Sequence, residues 1–253
     1  AFYMLSFVRY FLIIALFGIT LSLKATHNRA GEITYKLISC YTYSITLTTY
    51  TDDGPSIADR CELTIHFGDG DSCIASRENG IAGCPTASLG VIIKPYFKKN
   101  VYSCTHTYSG MGSFKIYMFD RNRNSGVINI PNSVNQPFYI ESLLVIGAKP
   151  NNSSVLTIMP IDEAAFMKCF YHNPGAYDID GDSLSYEITT CKGEDPLTSQ
   201  IGITIPGYSY PYSGASGVFS IDSLNGTLAW CAPQQVGEFN IAIIIKEWRK
   251  LSC

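Results

Sequence analysis

Charge is scarce in this chain. Only 15% of its 253 residues are Asp, Glu, Lys or Arg, and the formal net charge is −3. No basic stripe of the kind that grips a phosphate backbone is present, which excludes nucleic acid as an expected partner. Helical periodicity is missing too: beyond the N-terminal segment, no long stretch places apolar residues three and four apart. No Cys-x-x-Cys pair occurs, which weighs against structural zinc, although Cys104-Thr105-His106 and His66 keep zinc open as the rival use of the thiols. No Gly-x-Ser-x-Gly elbow and no His-Glu-x-x-His pair appears, so the common hydrolase and metalloprotease signatures are absent.

What is abundant points elsewhere. Aromatics make up 13% of the chain, with 17 Tyr and 13 Phe, and Thr and Ser are frequent. Such residues suit pleated, half-buried strands better than helices. Near the start, Arg9 precedes the apolar run Phe11–Leu23, which ends at Lys24-Ala25. A basic residue, a short apolar run and a small residue describe a secretory signal peptide, with processing expected near Ala25. The run is shorter than the roughly 20 apolar residues a spanning helix needs. An uncleaved anchor is the alternative; once the signal is removed, no membrane span is expected.

All nine cysteines (Cys40, Cys61, Cys73, Cys84, Cys104, Cys169, Cys191, Cys231 and Cys253) follow that segment. Disulfides persist in oxidising compartments, so the count agrees with export. An odd number leaves one thiol over, and Cys253 closes the sequence, its partner expected outside this fragment. Eight cysteines alone permit about 105 connectivities. Among them, Cys169 and Cys191 flank an acidic turn, and a bridge between them is expected, worth about 3 kcal/mol in the chain-entropy model.

Period-two alternation recurs along the chain. Tyr41, Tyr43, Ile45 and Leu47 alternate with Thr42, Ser44, Thr46 and Thr48; Phe114, Ile116 and Met118 repeat the pattern, as do Phe239, Ile241, Ile243 and Ile245. Asp53-Gly54-Pro55, Gly68-Asp69-Gly70, Asn124-Ser125-Gly126 and Asn225-Gly226 punctuate these runs as turns. The fold class expected is all-β, with two tandem immunoglobulin-like β-sandwiches after the signal peptide. The polar, Pro-containing stretch Lys149–Ser154 marks the boundary. The first sandwich then occupies 26–148, a linker 149–161, and the second sandwich 162–253, truncated before its last strand.

"FGDG" (Phe67–Gly70) followed by "HTYSGMGSFKIYMFD" (His106–Asp120) resembles the polycystic kidney disease (PKD) domain. Gly68 and Gly70 permit a tight turn, and Asp69 can hydrogen-bond its own backbone there. Phe67 stands where that family usually has Trp, and Gly112-Ser113-Phe114 replaces its Pro-Gly-x-Tyr. An Asp69–His106 catalytic pair is the rival use of these residues; the resemblance makes both structural. "FYHNPGAYDIDGDSLSYEI" (Phe170–Ile188), "FSIDSLNGTLAW" (Phe219–Trp230) and "GEFNIAIIIKEWR" (Gly237–Arg249) together resemble cadherin-like modules of bacterial surface proteins. The whole is similar to exported Bacteroidota proteins in which such modules precede a gliding-motility-associated, type IX secretion sorting domain, itself not in this sequence. That resemblance implies a non-catalytic cell-surface module for adhesion, binding or spacing, with a protein or glycan ligand. Accessory modules of a secreted hydrolase are the alternative.

The sharpest local feature is "YDIDGDSLSY" (Tyr177–Tyr186). Asp178, Asp180 and Asp182 alternate around Gly181, and like charges this close need relief. Hard oxygen ligands suit calcium, which accepts about 6–8 of them, and Gly181 can curl the chain so that the three converge. Asp162 and Glu163, just after Pro160, are the expected additional ligands, which would make the ion a brace between the two units. The plain alternative is an Asp-Gly turn whose carboxylates cap backbone N–H groups.

Overall fold

The computed structural model describes residues 28–52, 60–84, 88–121, 123–214 and 217–249. The apolar run Phe11–Leu23, the Asp53-Gly54-Pro55 turn and Cys253 lie outside them. Among the described residues there is no α-helix, only a 3-10 turn at Ser133–Asn135, and no helix long and apolar enough to cross a membrane.

The first half folds into β1 (Asn28–Ser39), β2 (Thr42–Asp52), β3 (Glu62–His66), β4 (Ser72–Ser76), β5 (Val91–Lys94), β6 (Phe97–Thr107), β7 (Gly112–Asp120) and β8 (Phe138–Ile146). Two four-stranded sheets result, in the orders β1-β2-β6-β5 and β4-β3-β7-β8, with every neighbouring pair antiparallel. Period two puts one side of each strand into the space between the sheets. Tyr43, Ile45 and Leu47 from β2 meet Ile65, Ile116, Met118 and Leu144 from the other sheet, all at 0–1% exposure. Each such side chain contributes about 1.5–3 kcal/mol on burial. Tyr41, expected on this face, lies beyond the strand and is exposed.

β2 is the strand paired along its whole length on both sides, to β1 and to β6. Its far end carries buried threonines rather than apolar residues. Asn100 on β6 satisfies them: its Nδ2 donates to Thr51 Oγ1 at 2.9 Å, while its Oδ1 accepts from Arg77 Nη1 at 2.8 Å. A buried polar network holds only when its members are satisfied, so this end of the sheet depends on the Arg77 loop. Disulfides reinforce the same region. Cys73–Cys104 links β4 of one sheet to β6 of the other, and Cys61–Cys84 ties the residue before β3 to the segment that follows β4.

The second half contains shorter strands: β9 (Val155–Leu156), β10 (Phe170–His172), β11 (Ala176–Tyr177), β12 (Ser183–Thr189), β13 (Lys192–Glu194), β14 (Ile201–Thr204), β15 (Phe219–Ile221), β16 (Leu228–Trp230) and β17 (Ala242–Trp248). They pair as β10-β16-β15, β11-β9, β12-β17 and β13-β14. The Phe239–Ile245 alternation forms β17 in part, but its apolar residues remain only half-buried. A third disulfide, Cys169–Cys231, corrects the expected Cys169–Cys191 bridge. The register explains it: Phe170 pairs with Trp230, so the residues immediately outside that pair are Cys169 and Cys231. Cys191 instead follows β12 into the boundary between the halves, where it is a buried free thiol.

That boundary is tightly packed. Val127 and Ile130, from the β7–β8 connection, join Cys191 and Ile205 in one buried cluster against Tyr208 and Ala242. Asn129 donates from Nδ2 to the Asn240 carbonyl at 2.8 Å and accepts at Oδ1 from the Asn240 amide at 3.0 Å. Arg123, 3% exposed, is the centre of the joint. It donates to Asn240 Oδ1 at 2.6 Å, to the Pro137 carbonyl at 3.1 Å and to the Lys192 carbonyl at 3.3 Å, with its guanidinium 5.4 Å from the Phe138 ring centre. Burial lowers its pKa, the sign of a charge removed from water.

Replacing Arg123 strands its three acceptors, at roughly 1–3 kcal/mol for each that stays dry. Arg123→Met is therefore predicted to destabilise the chain by about 2 kcal/mol or more, and chemical unfolding of the wild type should show one transition for both halves. A variant as stable as wild type, or separate wild-type transitions for the two halves, would contradict the joint.

Candidate metal centre

The Asp178–Asp182 loop runs from β11 into β12. Gly181 sits at φ +81° in the left-handed region, with open space where a side chain would be, and curls the loop. Asp178 Oδ1 accepts from the amides of Asp180 and Asp182, both at 2.9 Å. One carboxylate oxygen from each of the three aspartates lies within 4.8 Å of the others. The convergence expected from the sequence is therefore present, and so is the amide capping of the plainer alternative.

A third feature had not been expected. β12 and β17 pair from Thr189↔Ala242 to Ser183↔Trp248, and one further step along that register sets Asp182 beside Arg249. Arg249 Nε donates to Asp182 Oδ1 at 2.9 Å, and Nη2 lies 2.7 Å from Asp182 Oδ2 and 3.0 Å from Asp180 Oδ2. Its Nη1 donates to the Pro150 carbonyl. Asp180 is held from the other side by the Asn152 amide at 2.7 Å and Asn152 Nδ2 at 2.8 Å. Partial burial pushes the Asp180 carboxyl up, but the Asn152 and Arg249 donors outweigh it and leave it below the ordinary carboxylate range. Arg249 is shifted up, chiefly by its hydrogen bond to Asp182.

The same neighbourhood holds the stretch read as a linker. Ser153 Oγ accepts from the Tyr35 amide at 2.8 Å and Asn152 Oδ1 from the Leu37 amide at 2.9 Å, along the free edge of β1. Glu247, two residues before Arg249, accepts from the Ser154 amide at 2.5 Å and from Asn151 Nδ2 at 2.9 Å. Residues 150–154 thus form a strap fastened to the first half by backbone-edge bonds, to β17 by Glu247, and to the residue just past β17, Arg249.

Asp162 and Glu163 do not join the three aspartates. The cluster within 4.8 Å contains Asp178, Asp180 and Asp182 and neither of them. Asp162 Oδ2 instead lies 3.3 Å from His172 Nδ1, and Asp162 Oδ1 accepts from the Glu163 amide. In the first half, Gly68 and Gly70 both adopt positive φ, and a Cβ on Gly68 would strike the Lys115 backbone at 2.6 Å, so the turn is pressed against β7. Asp69 Oδ1 accepts from the Asp71 amide at 3.1 Å, and Oδ2 bonds His106 Nε2 at 2.7 Å. The His106 ring stacks on Phe67 at 4.1 Å. Asp69, Asp71 and His106 form the other acidic group close enough to hold a metal among the described residues.

No protein-family model matches the chain, and no curated protein and no solved structure matches it either.

A carboxylate whose folded pKa lies below its unfolded value of about 3.9 adds stability that is complete above that value and is lost as the pH falls through the folded pKa. Asp180→Asn is therefore predicted to lose about 1 kcal/mol at neutral pH, the scale of a partly exposed charge-assisted contact. The gap between wild type and variant should close as the pH falls below about 4. Melting curves across pH 2–7 check this prediction; a gap that widened on acidification would refute the assignment.

Proposed function

We propose that this chain is a non-catalytic, exported cell-surface module protein serving adhesion, binding or spacing, with a PKD-like first unit and a cadherin-like second unit. Calcium is the proposed ion at Asp178, Asp180 and Asp182, and a protein or glycan the proposed ligand. The observation that carries this reading is where the polar groups of both acidic clusters are directed. Asp69 and His106 stitch the β3–β4 turn to β6, Asp178 caps two amides, and Asp180 and Asp182 hold Arg249. A general acid or base needs a proton-transferring atom turned toward substrate; these atoms are turned toward scaffold. Three disulfides fit an oxidising compartment outside the cell.

Calcium fits the donor set. The ligands are all hard oxygens, and Asp178, 6% exposed, has an Oδ2 that meets no donor. Three carboxylates completed by carbonyls and water imply a weak site, about 10⁻⁴–10⁻³ M. Ligands on a rigid scaffold would be met by its exposed loops.

The exported chain, immobilised and presented with glycan and extracellular-protein panels, is predicted to show saturable binding without turnover. Asp69→Asn and His106→Gln should leave that binding intact. Turnover of any bound glycan or protein, abolished by either substitution, would overturn the non-catalytic assignment. In about 5 mM calcium the midpoint of unfolding should rise by the equivalent of about 1–2 kcal/mol, as mass action requires at that affinity. An unchanged midpoint would remove the ion.

A further inference from the structure

Asp178 Oδ2 is a buried carboxylate oxygen without a donor, on a residue whose cluster already holds a cation, Arg249. Formally, three negative charges face the single positive charge of Arg249, leaving two uncompensated. Glu247 on the same strand adds another carboxylate nearby, bonded to the strap at Ser154 and Asn151. The local balance therefore favours a divalent cation. The carboxylate oxygens, however, are nearly all engaged: Asp178 Oδ1 by two amides, Asp180 Oδ1 by Asn152 Nδ2, and Asp180 Oδ2 and both Asp182 oxygens by Arg249.

From this arrangement, and resting on the calcium reading above, we propose that the cluster is a cation-exchange clasp in which calcium takes the place of the Arg249 guanidinium. One unengaged oxygen cannot hold an ion that takes about 6–8 oxygens at 2.3–2.6 Å. Both oxygens of Asp182 and one of Asp180 are in contact with Arg249, so further ligands from these residues have to be taken from it. Calcium and guanidinium cannot share them, because two cations at that separation repel in a partly desolvated site. Arg249 Nη2, 2.7 Å from Asp182 Oδ2 and 3.0 Å from Asp180 Oδ2, is the group whose place the ion takes.

The consequence runs opposite to that of a calcium brace. With Arg249 in place, the strap is fastened to β17 at the Pro150 carbonyl and, through Glu247, at Asn151 and Ser154. When calcium displaces Arg249, the Pro150 fastening is lost and Glu247 alone ties the strap to that strand. Calcium then loosens this edge of the junction while the Arg123 joint remains closed.

The test is calorimetric titration of the full chain with calcium chloride at constant ionic strength. Wild type, Arg249→Gln, Asp178→Asn and the double variant are compared, with magnesium chloride as control. Asn at 178 keeps the oxygen that accepts the two amides, so the loop can still form. Arg249→Gln is expected to bind calcium about tenfold more tightly than wild type, because its competitor is gone, and Asp178→Asn to lose binding in both backgrounds. Amide exchange at 150–154 and 247–249 is expected to quicken with calcium in wild type and not in Asp178→Asn. Equal affinities in wild type and Arg249→Gln would overturn the exchange while leaving a calcium site. Absence of heat from both at about 10 mM calcium would overturn the site as well. Slower amide exchange with calcium would show the ion bracing the strap beside Arg249, which also contradicts displacement.

Discussion

Arg249 between Asp180 and Asp182 is the contact on which the strap side of the junction turns. Without a cation, three carboxylates within a few ångströms would repel, and the loop that Gly181 curls would open. With it, the loop closes, the last residues of β17 are drawn to the strap, and the strap lies along the free edge of β1. An edge strand left bare invites pairing with another chain; covering it is a common protection. One electrostatic contact thus connects loop, strap and sheet edge. Arg123 secures the opposite part of the junction by a different means, with a buried charge satisfied by carbonyls and an amide side chain rather than by a carboxylate.

This arrangement gives a scaffold whose two halves do not behave as beads on a string. The stretch Lys149–Ser154 has the composition of a linker, yet its polar side chains are what fasten it: Asn151, Asn152 and Ser153 each hold a partner in β1, β17 or the Asp180 loop. Polarity in a sequence marks a segment that needs hydrogen bonds and leaves open whether water or protein supplies them. The proposed adhesion or spacing role needs such fastening, because force or distance would pass through the junction.

Local pattern made much of the first half legible. The alternation around Tyr43, Ile45 and Leu47 named core residues correctly because a strand buried on one face repeats every second residue. Gly68 and Gly70 marked a turn that positive φ requires. What escaped was non-local. The pairing of β10 with β16, which brings Cys169 to Cys231, joins strands some sixty residues apart, consistent with the bridge's sequence separation of 62. Cys191 is nearer in sequence but follows β12 into a different sheet. Arg249 belongs to the same class: its place beside Asp182 depends on the β12–β17 register, and no turn between those strands is short enough to fix it. The convergence of Asp178, Asp180 and Asp182 was readable because one short loop creates it; Asp162 and Glu163 were misplaced because proximity along the chain is not proximity to that loop.

The measurement closest to the central claim is a double-mutant cycle in chelator-treated buffer, pairing Arg249→Gln with Asp182→Asn and following chemical unfolding. Asp182 and Arg249 are largely sheltered from solvent, with side-chain exposures of 7% and 21%. Their coupling is therefore predicted at about 1–2 kcal/mol, above the value of a freely exposed pair. Additive effects, with coupling near zero, would mean that Arg249 does not hold the loop and that the junction rests on Arg123, Asn129 and the Glu247 contacts instead.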